Sequence, residues 1–214
     1  MIRKLLIYSA AIGGAFELYG TEAKGVPGGR KDEPMVDLAK VYPKIPIGLR
    51  YASHVNITGN PIYPTNARCF VRQSVADRLE RARLYLRKHG ANIKVWDAYR
   101  PSWAQKVLWD AIRDPRYIGD PKRGGSLHSW GAAVDVTLVN EYGRELEMPS
   151  DFDVFTDAAK TLYDGKDPVV RRHVRLLQKA MTAAGFLMLY DEWWHFVARD
   201  YREFGPVEIR LDEP

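Results

Sequence analysis

A single cysteine, Cys69, occurs in the 214 residues of this chain. One thiol cannot form an intramolecular disulfide, and it cannot build the thiolate-rich zinc sites of fingers and ribbons. The chain must therefore fold around its own hydrophobic core, and its content of 46% hydrophobic and 28% charged residues permits this. Any metal site must be built from histidine and carboxylate side chains.

The first 35 residues differ in character from the rest. Arg3 and Lys4 precede an apolar stretch over 5–16, and Thr21-Glu22-Ala23 resembles a signal peptidase site, so we predict a signal peptide over 1–23. The alternative is an N-terminal helix or strand that packs on the domain. Cleavage would place the protein in the periplasm or outside the cell, and without it the protein would be cytoplasmic. The stretch is too short to span a bilayer unaided.

Glycine, proline and charged residues over 24–35 predict a linker or arm, so the folded domain should cover 36–214. Alternating or β-rich segments predict four strands: Ile93–Tyr99, Ala133–Val139, Phe186–Tyr190 and Trp193–Ala198. Apolar residues at helical spacing predict two helices, Ser74–His89 and Arg171–Ala184.

Ser102 is expected to cap a third helix that runs to Asp110. The prolines between 36 and 64 favour short extended pieces, such as Gly48–Ser53, over helix. The strands are not separated by regular crossover helices, and the sequence has no glycine-rich phosphate loop. The pattern predicts a single α+β domain in which an antiparallel sheet has flanking helices.

Two short segments hold the residues best suited to catalysis, 126–135 (SLHSWGAAVD) and 192–195 (EWWH). His128 and Asp135 are seven residues apart and would face opposite sides of a regular strand. A turn at Gly131 would fold His128 back beside Asp135, so that both could hold one ion. His195 would be a third ligand and leave the fourth position to water, as in catalytic zinc sites.

Glu192 precedes His195 by three residues and is placed to accept a proton from such a water. These residues also have an ordinary structural interpretation. A histidine near aromatic rings is often only hydrogen-bonded, and an aspartate after a glycine turn often only caps backbone. The spacing by itself leaves both interpretations open.

The run S-x-H-x-x-G-x-A-x-D, with a later E-x-W-H, resembles the zinc D,D-peptidases. The wider sequence from about 36 to 200 resembles the D-alanyl-D-alanine dipeptidases of the vancomycin-resistance type. Further matches occur in the same order along the chain: LRYA at 49–52, NITG at 56–59, WDAYRP at 96–101 and SDFD at 150–153.

The resemblance implies one zinc ion per chain, held by His128, Asp135 and His195, with Glu192 as general base and then acid. It also implies that Arg100 holds the scissile carbonyl oxygen as it becomes an oxyanion. A guanidinium fixed at a Tyr-Arg-Pro corner suits that role because it is always charged and preorganised.

The resemblance further implies that Asp153 binds the free ammonium group of a dipeptide, and that Ser126 and Tyr51 are additional substrate contacts. Asp97 is expected to orient Arg100. Trp130 stands where a more polar residue is expected beside the ligands, and we expect it to narrow or reshape the pocket.

The predicted reaction is the hydrolysis of D-Ala-D-Ala to two D-alanines by a metal-activated water. Two alternatives remain: a related wall peptidase, either a D,D-carboxypeptidase or an L,D-endopeptidase, or a basic module that binds wall polymer or nucleic acid around a structural zinc. The net charge of +5 favours the last only weakly because acidic residues are interleaved with the basic ones. We expect a small dipeptide as partner, no nucleic acid and no stable membrane span, and the sequence does not determine the oligomeric state.

Overall fold

The computed structural model describes residues 5–8, 15–18 and 30–212 of the chain. Eight strands occur in these ranges: β1 (Leu5–Tyr8), β2 (Ala15–Leu18), β3 (Met35–Asp37), β4 (Phe70–Arg72), β5 (Asn92–Asp97), β6 (Ala133–Val139), β7 (Phe186–Leu189) and β8 (His195–Ala198). The same ranges hold four α-helices: α1 (Leu38–Val41), α2 (Gln73–Arg87), α3 (Ser102–Ile112) and α4 (Pro168–Ala183). Short 3-10 turns lie between these elements.

Six of the strands form one sheet in the order β2-β1-β7-β8-β6-β5, and each neighbouring pair is antiparallel. Strands β3 and β4 form a separate antiparallel pair. Helices α2 and α4 pack against each other, and they contact β5 and β7 respectively. The predicted α+β domain with an antiparallel sheet and flanking helices is confirmed.

The two long helices bury one face each. Buried apolar residues recur at three- and four-residue steps in α2 (Val75, Leu79, Ala82, Leu86) and in α4 (Val170, Val174, Leu177, Met181). The Asp167 side chain accepts hydrogen bonds from the backbone N–H groups of Val169 and Val170 and so begins α4 earlier than the apolar pattern predicts. The helices thereby cover one side of the sheet and leave its other side to the site.

The register of the central strands brings three polar side chains into one row. Pairing of β5 with β6 is regular up to Val95, and then shifts so that Asp97 lies opposite Asp135. Trp96 is the extra residue of this β-bulge. On the other side of β6, β8 places His195 opposite Asp135. Since directly opposed residues share a face, the bulge is what brings Asp97 into the row.

Two local predictions are wrong. Residues Arg50–Ala52, expected to be extended, form a 3-10 turn. Such a turn needs only i→i+3 hydrogen bonds and so fits between prolines. The Tyr51 carbonyl then accepts hydrogen bonds from the backbone N–H groups of residues 62 and 63. Ser102 is the first residue of α3 and makes no capping hydrogen bond, since Pro101 occupies the cap position.

Near the N-terminus, the backbone of 5–8 and 15–18 forms the two outermost strands at one edge of the sheet. The other residues of the signal peptide predicted over 1–23 lie outside the described residues, and its cleavage stays a prediction. Part of the arm predicted over 24–35 contacts the domain, where the Arg72 guanidinium donates to the carbonyls of Lys31 and Glu33. None of the helices within the described ranges is both long and apolar enough to cross a membrane.

Candidate metal centre and active site

The short turn before β6 determines the position of His128. Leu127–Trp130 form one 3-10 turn, and the Ser126 hydroxyl accepts a hydrogen bond from the His128 backbone N–H at 3.2 Å. Gly131 ends the turn with φ of +68°, a conformation that costs glycine little and other residues more. The predicted turn is present, and it brings His128 back to Asp135.

Three candidate ligand side chains converge at this point. His195 Nδ1 lies 2.9 Å from Asp135 Oδ1 and 3.2 Å from His128 Nε2. His128 Nε2 lies 3.4 Å from Asp135 Oδ2. In a tetrahedral zinc site with bonds of about 2.0–2.1 Å, neighbouring ligand atoms are separated by about 3.3 Å. The spacing of the three side chains is therefore close to the spacing that a zinc ion requires.

Hydrogen bonding outside the cluster prepares the ligands for a cation. His128 Nδ1 donates to the Ala98 carbonyl at 2.7 Å, so Nε2 faces the cluster and, without its proton, offers a lone pair to a cation. Burial opposes the ionisation of Asp135, but His128 and His195 hold the pKa of its carboxyl well below the usual range. The site thus offers two imidazole nitrogens and one ionised carboxylate, the donor set of many catalytic zinc centres.

Glu192 lies beside the cluster and outside it. It occupies the loop between β7 and β8, and its Oε2 is 3.7 Å from His195 Nδ1. Burial raises the pKa of Glu192 to about 8, although the neighbouring His195 lowers it. A carboxyl group that titrates near neutrality can both accept and return a proton, as a general base and acid must.

Arg100 lies at the corner between β5 and α3, and its guanidinium is buried. Its Nε and Nη2 lie 2.9 and 2.8 Å from Asp97 Oδ2, and the Tyr51 ring packs against it with the ring centre 4.9 Å from Cζ. Nη2 is also 3.6 Å from Asp135 Oδ2. Arg100 is therefore fixed beside the three candidate metal ligands, and Asp97 contacts it as the sequence predicts.

Two further residues of this network were not among the predicted site residues. The Tyr63 hydroxyl donates to Asp97 Oδ1 at 2.8 Å, and Arg100 Nη1 donates to Gln105 Oε1 at 2.9 Å. Gln105 lies between the apolar positions Ala104 and Leu108 of α3. A polar residue beside the apolar face of a helix can indicate a buried polar contact, and this was the one feature of the sequence that pointed to Gln105. Tyr63 lies in a proline-rich segment without periodicity and gave no such signal.

Asp153 is buried and has a backbone φ of +59°, an uncommon conformation for a residue other than glycine. Its carboxylate accepts hydrogen bonds from two neutral donors, the Tyr51 hydroxyl at 3.3 Å and the Ile57 backbone N–H at 3.2 Å. Burial raises the pKa of Asp153 to about 7, although Arg100 lowers it. A strained backbone and a buried carboxyl with neutral partners are both typical of functional positions.

A cavity of about 140 Å³ connects these groups. Eight of the nine predicted site residues line it: Tyr51, Arg100, Ser126, His128, Asp135, Asp153, Glu192 and His195. The ninth, Asp97, lies behind Arg100. Among the described lining residues Leu127 is present and Trp130 is not, so the expectation that Trp130 narrows or reshapes the pocket is wrong; Trp130 instead packs against the hydrophobic core.

Comparison with known proteins agrees with this geometry. Residues 31–204 match the peptidase family M15, described as D-ala-D-ala dipeptidase. The chain belongs to this family. The M15 peptidases of this type are zinc metallopeptidases, so the chain is an enzyme, and the zinc ligands proposed from the geometry lie within the matched residues.

Relatives from three bacteria share most of their length with the chain. It is 38% identical to the D-alanyl-D-alanine dipeptidase of Escherichia coli K12 over 76% of this chain and 83% of the relative. It is 28% identical to the dipeptidase of that name from Enterococcus faecium and 30% identical to that from Streptomyces coelicolor, in each case over 71% of this chain and 84% of the relative. A solved vancomycin-resistance D,D-pentapeptidase in complex with Zn(II) is 16% identical, with a TM-score of 0.41 over 61% of this chain and 74% of that chain.

Proposed function

We propose that this M15 peptidase hydrolyses D-Ala-D-Ala to two D-alanines with one zinc ion per chain. The observation that carries the proposal is the buried carboxylate of Asp153 in the same cavity as the three ligands. Its described hydrogen-bond partners are neutral, and a substrate ammonium would supply the missing positive charge. The names of the relatives from three bacteria support the same substrate.

The size of the cavity supports a short substrate. Pockets for drug-sized ligands measure roughly 300–1,000 Å³, and this cavity measures about 140 Å³. A carboxylate that requires a free ammonium group also disfavours an internal peptide bond of a longer chain. These two features favour a dipeptidase over a carboxypeptidase or endopeptidase that acts on wall peptides.

Bound zinc would polarise the scissile carbonyl and lower the pKa of a water molecule. Glu192 would accept a proton from the attacking water while the oxygen of that water bonds to the carbonyl carbon. The same carboxyl group then donates a proton to the leaving amine, so that one water is consumed and two amino acids are released. The pKa of about 8 for Glu192 suits both transfers, and the nearby positive charge of a metal would lower it towards neutrality.

Arg100 donates hydrogen bonds to the carbonyl oxygen as negative charge develops on it. Because the guanidinium is already fixed by Asp97, this stabilisation requires little reorganisation during the reaction. A single preorganised donor of this kind typically contributes about 3–4 kcal/mol to transition-state stabilisation.

The test is an assay of D-alanine release from D-Ala-D-Ala, together with metal analysis of the purified chain. We expect one zinc per chain and turnover, and we expect an N-acetylated dipeptide to be a poor substrate. Glu192→Gln keeps the side-chain shape and should retain zinc while kcat falls by about 10²–10⁴-fold. Retained activity in this variant would refute the role of Glu192, and preferred cleavage of the acetylated substrate would refute the dipeptidase assignment.

We also propose that residues 1–23 are removed on export and that the enzyme acts on wall-derived dipeptide outside the cytoplasm. Cleavage after Ala23 would remove β1 and β2 and leave β7 at the edge of the sheet, and none of the site residues lies in these two strands. N-terminal sequencing of the protein from the native cell tests this. A mature chain that starts at Met1 would refute it.

A further inference from the structure

Gln105 is buried beside the site, and its side-chain amide contacts two residues that line the cavity. It lies on α3, one turn after the corner that carries Arg100, and its side chain is 1% exposed. Both ends of its amide are used. Oε1 accepts from Arg100 Nη1 at 2.9 Å, and Nε2 donates to the Gly119 carbonyl at 2.7 Å.

The first of these contacts restricts the plane of the guanidinium. An arginine has five N–H donors in a rigid fork. Asp97 holds the edge formed by Nε and Nη2, and Gln105 holds Nη1 at the other end. One N–H on each of Nη1 and Nη2 then remains to meet a substrate oxygen. With Asp97 alone, the guanidinium could still tilt about the edge that Asp97 holds.

The charge of the contacting group also matters. The Arg100 guanidinium already has two carboxylates within 4 Å, Asp97 at 2.8 Å and Asp135 at 3.6 Å. A third would further neutralise the positive charge that an oxyanion must meet. Gln105 accepts the hydrogen bond without adding charge, so the guanidinium is held and its attraction for an anion is preserved.

The second contact connects the arginine to the wall of the cavity. Gly119 and Gly125 both line the cavity, and a Cβ atom on Gly119 would lie only 2.2 Å from the Gly125 carbonyl oxygen. The two backbone segments therefore pack together directly. Through Gly119, Gln105 fixes Arg100 relative to the wall against which a substrate would lie.

We propose that Gln105 is a positioning residue, which fixes the guanidinium of Arg100 relative to the cavity wall and so aligns it with the scissile carbonyl. This inference rests on the proposed function, because it assigns Gln105 a part in the same hydrolysis. It acts through Arg100 and does not itself contact the substrate.

The kinetic test uses three variants of the full chain loaded with zinc. Gln105→Met keeps the length of the side chain and removes both hydrogen bonds, and we expect kcat for D-Ala-D-Ala to fall by about 10–100-fold, since small misplacements of a reacting group have effects of this size. KM and zinc content should change less than about threefold. Gln73→Met is the matched control, because the Gln73 amide makes its hydrogen bond to Asp77 within α2, and its kcat should equal that of the wild type.

Gln105→Glu provides a conservative rescue. When the new carboxyl group is protonated it can accept from Arg100 and donate to the Gly119 carbonyl, as the amide does, and when ionised it loses the donor and adds charge. Its kcat relative to wild type should therefore rise as the pH falls. The corresponding ratio for Gln105→Met should stay flat.

A measurement without substrate separates this inference from the proposed function. In ¹⁵N NMR spectra, the fixed Arg100 should give separate Nη1 and Nη2 signals, and these should merge in Gln105→Met as rotation of the guanidinium becomes faster. If the wild type does not hydrolyse D-Ala-D-Ala, the proposed function fails and these signals decide the positioning role. Unchanged signals, or a variant effect confined to KM or zinc content, would overturn it.

Discussion

Replacement of Asp153 by asparagine should raise the free energy of unfolding and also raise KM for D-Ala-D-Ala. Asparagine tolerates the backbone φ of +59° at this position better than alanine does. It also keeps the two local contacts. Its carbonyl oxygen can accept from the Ile57 N–H, and its amide can donate to the Tyr51 hydroxyl, which can turn from donor to acceptor.

The gain in stability follows from the cost of burying the charge. Burial raises the pKa of Asp153 from 3.8 to about 7, which corresponds to about 4 kcal/mol at 1.36 kcal/mol per pKa unit. The folded wild type holds its proton to higher pH than the unfolded chain, so its free energy of unfolding falls as the pH rises from about 4 to about 7. The variant lacks this penalty and should be more stable by up to about 4 kcal/mol above pH 7 and equally stable below about pH 4.

The loss of function follows from the missing charge. A hydrogen bond between charged groups contributes about 1.5–3 kcal/mol, so KM for D-Ala-D-Ala should rise by about 10–150-fold. In the wild type KM should also rise as the pH falls below about 7 and Asp153 is protonated. The KM of the variant should not change over that range.

Urea unfolding of the metal-free proteins at several pH values measures the stability difference, and steady-state kinetics of the zinc-loaded proteins measures KM. A variant less stable than the wild type at pH 8 would show that the buried carboxylate is compensated within the protein. An unchanged KM would show that Asp153 does not bind the substrate ammonium.

Three further predictions concern the candidate zinc site and the groups around it. Asp97→Asn should retain zinc and lower kcat by about 10–100-fold, because Arg100 loses its charged partner; kcat close to wild type would exclude an orienting role. Removal of zinc with a chelator should lower Tm and abolish hydrolysis, and zinc should restore both, since a ligand of the native state stabilises by about 2.7 kcal/mol at 100 times its Kd; an unchanged Tm would argue against a site in the folded protein. Gly131→Ala should destabilise the fold by about 1–3 kcal/mol in thermal unfolding and weaken zinc binding through His128, because φ is +68° and the new Cβ would lie 2.7 Å from Met35 Sδ; wild-type zinc affinity would show that the turn does not position the ligand.

The sequence predicted the elements whose periodicity is strong. The bounds of β6 are those expected, Ala133–Val139, because the alternation there is complete. The helices α2 and α4 differ from expectation by a few residues at their ends, where capping by residues such as Asp167 decides the boundary. The turn at Gly131 was predictable because only a reversal could join two ligands with an odd spacing.

The sequence predicted the polar residues of the cavity and the contact of Asp97 with Arg100, but not the other contacts that hold these residues in place. The position of Asp97 depends on a register shift at Trp96 that alternation does not reveal. The roles of Tyr63 and Gln105 depend on burial of polar groups, and this is decided by segments distant in the chain, such as the loop that carries Gly119.

The extra residue at Trp96 lets one short strand contribute side chains both to the hydrophobic core and to the active site. Up to Val95, the odd-numbered positions of β5 face the hydrophobic core, and after the shift Asp97 faces the opposite side. Without the irregularity, the same amino acids in the same order would direct a carboxylate into the core and leave Arg100 without its partner. The catalytic arrangement thus depends on the register of β5 as well as on the amino acids of the cavity, and regular pairing through Trp96 would remove it even if every one of those amino acids were preserved.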